Sequence, residues 1–170
     1  ITVTDVNEAP TSVALSASSI AENAAGATVG TLSSTDPDSG DSVTYSVSGT
    51  DAASFEVSGS TLKLKDAVSA DYETKASYAV TVTATDSGGL TASQAFTLTV
   101  TDVNEAASIT LSNTTVAENS SGASVGTVTV SDPDVGDSYT LAWSGTDAGS
   151  FEVSTATLKL KDAVSADYET

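Results

Sequence analysis

The segment Asp102-Val103-Asn104-Glu105 follows an identical Asp5-Val6-Asn7-Glu8 at a distance of 97 residues (102 minus 5). A period of about 100 residues is the length of one small all-β sandwich rather than of a motif inside one. The four residues therefore read as a linker between two copies of one domain, and their oxygen-bearing side chains could also hold a metal. Working outward, 170 residues exceed one such sandwich and fall short of two with their linkers, so the chain reads as a fragment. Ile1-Thr2-Val3-Thr4 matches Leu98-Thr99-Val100-Thr101, which places the start at the tail of a preceding repeat. Leu62 to Thr74 recurs letter for letter at Leu158 to Thr170, which predicts an incomplete second copy. The expected organisation is the end of a repeat and a linker over 1–9, a repeat over 10–101, a linker over 102–106, and a truncated repeat over 107–170.

Period-2 alternation of Val, Leu, Ile, Tyr and Phe with Ser or Thr marks the strands. In the first repeat these are Val13 and Leu15 (A), Val29 to Ser34 (B), Val43, Tyr45 and Val47 (C), Phe55 and Val57 (D), and Leu62 and Leu64 (E). Tyr78, Val80, Val82 and Ala84 make F; Phe96, Leu98 and Val100 make G. Turn residues fall between them at Asp36-Pro37-Asp38-Ser39-Gly40, Ser58-Gly59 and Ser87-Gly88-Gly89. No stretch carries a convincing helical period. The predicted fold is all-β: tandem Greek-key, Ig-like sandwiches of seven strands, the second truncated. Its strands are Ile109 and Leu111, Val128 and Val130, Tyr139, Leu141 and Trp143, Phe151 and Val153, and Leu158 and Leu160, with F and G missing. An unpaired edge and a bare apolar face should make that copy weakly stable, or pair it with another chain.

Cys and His are both absent, and all five basic residues are Lys. Thiol and imidazole nucleophiles, Ser-His-Asp triads, zinc sites of Cys or His, and disulfides are thereby excluded. A net charge of −18 argues against nucleic acid or anionic lipid as a partner and for hard cations as the counter-charge. No apolar run approaches the roughly 18 residues of a membrane span.

Fifteen of the 23 acids fall into five recurring groups. These are Asp5 and Glu8 with Asp102 and Glu105 in the linkers; Glu22 and Glu118 before strand B; Asp36 and Asp38 with Asp132 and Asp134 after it; Asp71 and Glu73 with Asp167 and Glu169 before strand F; and Asp86 after strand F. Successive strand ends alternate between the poles of a sandwich. Glu22, Asp71 and Glu73 should thus lie beside the outgoing linker, and Asp36, Asp38 and Asp86 beside the incoming one. The junction inside the chain is expected to collect Glu22, Asp71, Glu73, Asp102, Asn104, Glu105, Asp132 and Asp134. Two carboxylates about 5 Å apart repel by roughly 3 kcal/mol at an effective dielectric near 20. Ca²⁺, with six to eight oxygen ligands in flexible geometry, suits such a set better than Mg²⁺.

The AEN glutamate, the DPD pair, the DYE pair, the TATD strand end and the DVNE linker resemble, in order, the calcium motifs of cadherin repeats of the bacterial type. The resemblance covers essentially the whole chain. It implies that Glu22, Asp71 and Glu73 hold the ions nearest the first repeat, that Asp102 and Glu105 bridge, and that Asn104, Asp132 and Asp134 hold the ion nearest the second. It likewise implies Asp5, Asn7, Glu8, Asp36, Asp38 and Asp86 for the junction with a preceding repeat, and Glu118, Asp167 and Glu169 for one with a following repeat. The chain departs from the pattern where Glu105 and Ala106 replace an Asp and an Asn, and where Ala107 replaces the Pro seen at Pro10.

Other readings of the acids are weaker. The DPDxGD loop is no EF-hand, because its twelfth position is Val47 or Trp143 where a bidentate Glu is required. Asp71 and Glu73 lie two residues apart without aromatic platforms, unlike a glycosidase pair. Trp143 reads as a core residue of strand C, with sugar stacking as the lesser alternative. The expected function is that of a non-enzymatic, Ca²⁺-rigidified module of an extracellular or cell-surface adhesin stalk, with adjacent repeats of the same chain as partners. A homophilic adhesion contact and a carbohydrate-binding module with a glycan ligand are the alternatives.

Overall fold

In the computed structural model, residues 1–169 are described; Thr170, the last residue of the second LKLKDAVSADYET copy, lies outside the described residues. The chain forms two compact units, residues 1–103 and 104–170.

The first unit has eight strands: β1 (Ser12–Leu15), β2 (Ser19–Ala21), β3 (Thr28–Thr35), β4 (Thr44–Ser48), β5 (Phe55–Ser58), β6 (Thr61–Leu64), β7 (Ser77–Thr85) and β8 (Thr91–Thr101). They make two four-stranded sheets, β1-β3-β6-β5 and β2-β8-β7-β4. The alternation read from the sequence sets the inner faces. Leu62, Leu64, Val82 and Leu98 are fully buried between the sheets, with Phe55, Val80 and Leu32 at 2 % exposure. Phe55 meets Tyr78 edge-on, the ring centroids 5.4 Å apart, an arrangement favoured by the aromatic quadrupole.

Strand A is not one strand, as expected from Val13 and Leu15, but two. After Leu15 the chain crosses to the other sheet, and β2 pairs in parallel with β8, Ser19 opposite Thr99 and Ala21 opposite Thr101. Gly30 makes the crossing possible. A Cβ there would lie 2.8 Å from the Ser16 hydroxyl and 2.9 Å from the Ala17 nitrogen, and β3 shifts register at this point against β6. Three residues of β2 are too few to show periodicity, which is why the sequence does not announce them.

The second unit has β9 (Ser108–Leu111), β10 (Ser124–Ser131), β11 (Phe151–Ser154) and β12 (Thr157–Leu160) in one sheet, ordered β11-β12-β10-β9. Gly126 meets the same close approach as Gly30: a Cβ would lie 2.8 Å from the Asn113 nitrogen, at the same register shift. The strand expected at Tyr139, Leu141 and Trp143 does not form. Its counterpart β4 pairs with β7 alone, and no counterpart of β7 or β8 is present among the described residues. Without a ladder to join, the backbone stays irregular. Trp143 is 45 % exposed and donates its indole N–H to the Ala148 carbonyl at 3.1 Å, rather than sitting in a core.

Candidate functional site

The acids of the first unit gather where strands end. At its C-terminal pole, the parallel pairing of β2 with β8 carries Glu22 to the end of the sheet, where its N–H donates to the Thr101 carbonyl. Asn23 then takes φ +60°, a left-handed turn that Asn tolerates better than most residues, and its N–H donates to the Ala70 carbonyl at 3.0 Å. This turn aims Glu22 inward: it is 3 % exposed, and its two carboxylate oxygens accept the N–H groups of Tyr72 and Val103, each at 2.7 Å. Asp71 accepts the Thr74 N–H at 2.8 Å. One oxygen from each of Glu22, Asp71 and Glu73 lies within 4.8 Å of the others.

At the N-terminal pole, Asp38 accepts the Glu8 N–H at 2.7 Å, and its own N–H donates to Asp36 at 3.0 Å. Asp86, 6 % exposed, takes the Leu90 N–H on one oxygen and the Asn7 amide on the other, at 2.8 and 3.0 Å. Gly88 makes room for that contact, since a Cβ there would lie 2.6 Å from the Asn7 side chain. Asp5, Asn7, Asp38, Asp41 and Ser87 line a concavity of about 320 Å³. Asp41 was not among the residues singled out, yet it groups with Asp36 and Asp38 within 4.8 Å. Its repetition at Asp137 is the signal that could have found it. The Ser87 hydroxyl holds the Asp41 carboxyl below its ordinary range, against a smaller opposing effect of burial, and the Ser42 N–H adds to the lowering.

The second unit repeats both constellations in part. Asp134 accepts the Glu105 N–H at 2.6 Å, and its N–H donates to Asp132 at 3.2 Å, as Asp38 and Asp36 do. Glu118 groups with Asp167 and Glu169 within 4.8 Å, but all three are exposed, and Glu118 accepts the Tyr168 N–H only at 3.3 Å. Asn104 donates its amide to the Glu105 carbonyl. Asp5 and Asp102 are exposed.

Whether these residues suit a cation is decided by atoms that lack a donor. Asp36 Oδ2 and Asp134 Oδ1 are buried with no hydrogen-bond partner, and Asp134 is only 9 % exposed. A buried acceptor without a donor loses its hydration uncompensated, a loss that a directly bound cation reverses. Every candidate ligand is a carboxylate or amide oxygen, the donor type of Ca²⁺.

The family model for the cadherin domain matches residues 16–101. Among solved structures, human protocadherin-24 EC1-2 is similar with a TM-score of 0.62 and 25 % identity, over 97 % of this chain and 82 % of that one. A second crystal form of the same protein gives a TM-score of 0.66 at 23 % identity, over 96 % and 83 %. The protocadherin gamma B4 extracellular domain gives 0.52 at 26 % identity, over 96 % of this chain and 29 % of that one. No protein of curated function matches the chain.

Proposed function

The chain belongs to the cadherin family, and from that premise we propose that it is a Ca²⁺-rigidified module of an extracellular adhesive stalk. The observation that carries the reading is the paired arrangement Glu8–Asp38–Asp36 and Glu105–Asp134–Asp132. In each, a linker N–H caps the second Asp, whose own N–H caps the first, and in each one Asp oxygen stays buried without a donor. A linker tied by its backbone to the acids of the following domain stiffens once those acids share an ion with it.

In this reading Glu22, Asp71 and Glu73 hold ions on the first unit's side, and Asp102 and Glu105 bridge. Asn104, Asp132 and Asp134 complete the set on the second unit's side. Asp5, Asn7, Glu8, Asp36, Asp38 and Asp86 serve an incoming neighbour, and Glu118, Asp167 and Glu169 an outgoing one. Bound Ca²⁺ supplies positive charge that cancels the repulsion among the carboxylates. Extracellular Ca²⁺ modules bind at about 10⁻⁴ to 10⁻³ M, so the stalk is stiff outside a cell and loose at cytosolic Ca²⁺.

Calorimetric titration with Ca²⁺ tests this. Submillimolar to millimolar binding is expected, weakened at least about tenfold in Asp36→Asn and Asp134→Asn, each of which removes a charge while keeping the shape. Absence of heat up to about 10 mM Ca²⁺ would reduce the acids to a solvated surface.

A further inference from the structure

Among the strands of the first unit, charge is confined to one sheet, at Glu56 of β5 and Lys63 of β6. The other sheet, β2-β8-β7-β4, has no Asp, Glu, Lys or Arg among its 28 residues. Its outer face is Ser, Thr and Ala, with cross-strand partners such as Ser46 beside Thr83 beside Ser93, the last two joined by a 2.8 Å hydroxyl hydrogen bond. On a chain of net charge −18, this is the side a second negatively charged molecule can approach with least repulsion.

The sheet edges narrow the choice. On one side of the sandwich the chain crosses from β1 to β2, from one sheet to the other. On the other side β4 and β5 each end a sheet. β5 carries Glu56, which is ion-paired with Lys63 at 3.2 Å. β4, Thr44-Tyr45-Ser46-Val47-Ser48, holds five residues in unbroken register with β7 and has no charge, proline or bulge. Those are the devices with which proteins keep an edge from pairing, and β4 uses none of them. The acids just beyond its ends already have partners: Asp41 lies with Asp36 and Asp38, and Asp51, which accepts the Ala79 N–H of β7, is ion-paired with Lys75.

We propose that β4 is a pairing edge that takes β4 of a second copy of this chain, antiparallel across a two-fold axis, so that two four-stranded sheets become one. A register centred on Ser46 places Tyr45 opposite the partner's Val47. It keeps both on the inner face, as the two-residue period requires, and makes the aromatic with β-branched pair that stabilises antiparallel strands. Neighbouring stalks would thereby associate side by side while their poles remain committed to the chain direction.

Sedimentation velocity on the 170-residue chain, from about 10 μM to about 1 mM, tests the pairing. A reversible dimer is expected. Ser46→Lys and Ser46→Glu each place like charges directly opposite one another and should weaken the dimer at least about tenfold, while an equimolar mixture of the two restores it. Ile109→Glu, on the exposed apolar face of the second unit, should leave it unchanged. A monomer throughout the range, a dimer indifferent to both Ser46 variants, or a dimer lost in Ile109→Glu would each overturn the proposal. Circular dichroism confirms that the variants fold, since Ser46 is exposed.

Discussion

Sheet β1-β3-β6-β5 of the first unit and sheet β9-β10-β12-β11 of the second share their strand order and even the register shift beside Gly30 and Gly126, yet their inner faces differ. Phe55 and Leu62 are 2 % and 0 % exposed, whereas Phe151 and Leu158, which match them in sequence, are half-buried. Ile109 is 64 % exposed where Val13 is half-buried, and Glu118 is open where Glu22 is 3 % exposed. The lesson is that this four-stranded sheet forms without a second sheet packed on it. Full burial, strand β4 and the seating of the glutamate depend on β7 and β8.

The largest consequence concerns Leu62 and Leu158. Leu62→Ala opens a cavity in a closed core and should cost about 3–4 kcal/mol, whereas Leu158→Ala should cost about 1 kcal/mol, because a half-buried site loses less contact and collapses more easily. Urea unfolding of the two variants checks this. Equal losses would show that the second unit is as closed as the first in solution. Next in size is Gly30→Ala against Gly126→Ala. At both glycines the chain after the first strand comes within 2.8 Å of the added Cβ, so both substitutions should destabilise by about 1–3 kcal/mol, and by similar amounts.

Acid should act on the first unit. Hydrogen bonding from Lys75, and then from the Ala79 N–H, lowers the Asp51 carboxyl below 3.8. A group whose folded pKa lies below its unfolded value stabilises the fold above the unfolded pKa, and the stabilisation is lost as pH falls through the folded one. The first unit therefore loses this contribution below about pH 3.8. Alkali should act on both units. Lys63 and Lys159 are each raised above 10.5, chiefly by Asp66 and Asp162 and then by Glu56 and Glu152, so their contribution persists below pH 10.5 and fades as pH rises through the folded value. These two losses are the smallest effects expected, because in each pair one partner is open to solvent. Amide resonances assigned to each unit, followed with pH, separate them.

Much of this was legible in the residues. The inner-facing runs from Phe55 to Leu64 and from Tyr78 to Val100 carry a two-residue period that only one sheet face can bury. The recurring acids mark loops, and alternation of strand ends assigns each loop to a pole. What was hidden required pairing across long distances. β2 is three residues defined by a partner about 80 positions away, at Thr99 to Thr101. The loss of order at Tyr139 to Trp143 follows from the partner strand rather than from its own alternating pattern. Asp41 enters its group through the turn at Gly40, and Gly88 matters only because Asn7 lies against it.

Small-angle scattering with and without Ca²⁺ tests the central claim most directly. Raising Ca²⁺ to about 10 mM should extend the maximum dimension, narrow the distance distribution and raise the melting temperature by several degrees. A single site of millimolar affinity contributes about 1.4 kcal/mol at that concentration. Asp102→Ala should abolish the extension while leaving each unit folded. A scattering curve unchanged by Ca²⁺, or a response that survives in Asp102→Ala, would contradict a linker stiffened by shared ions.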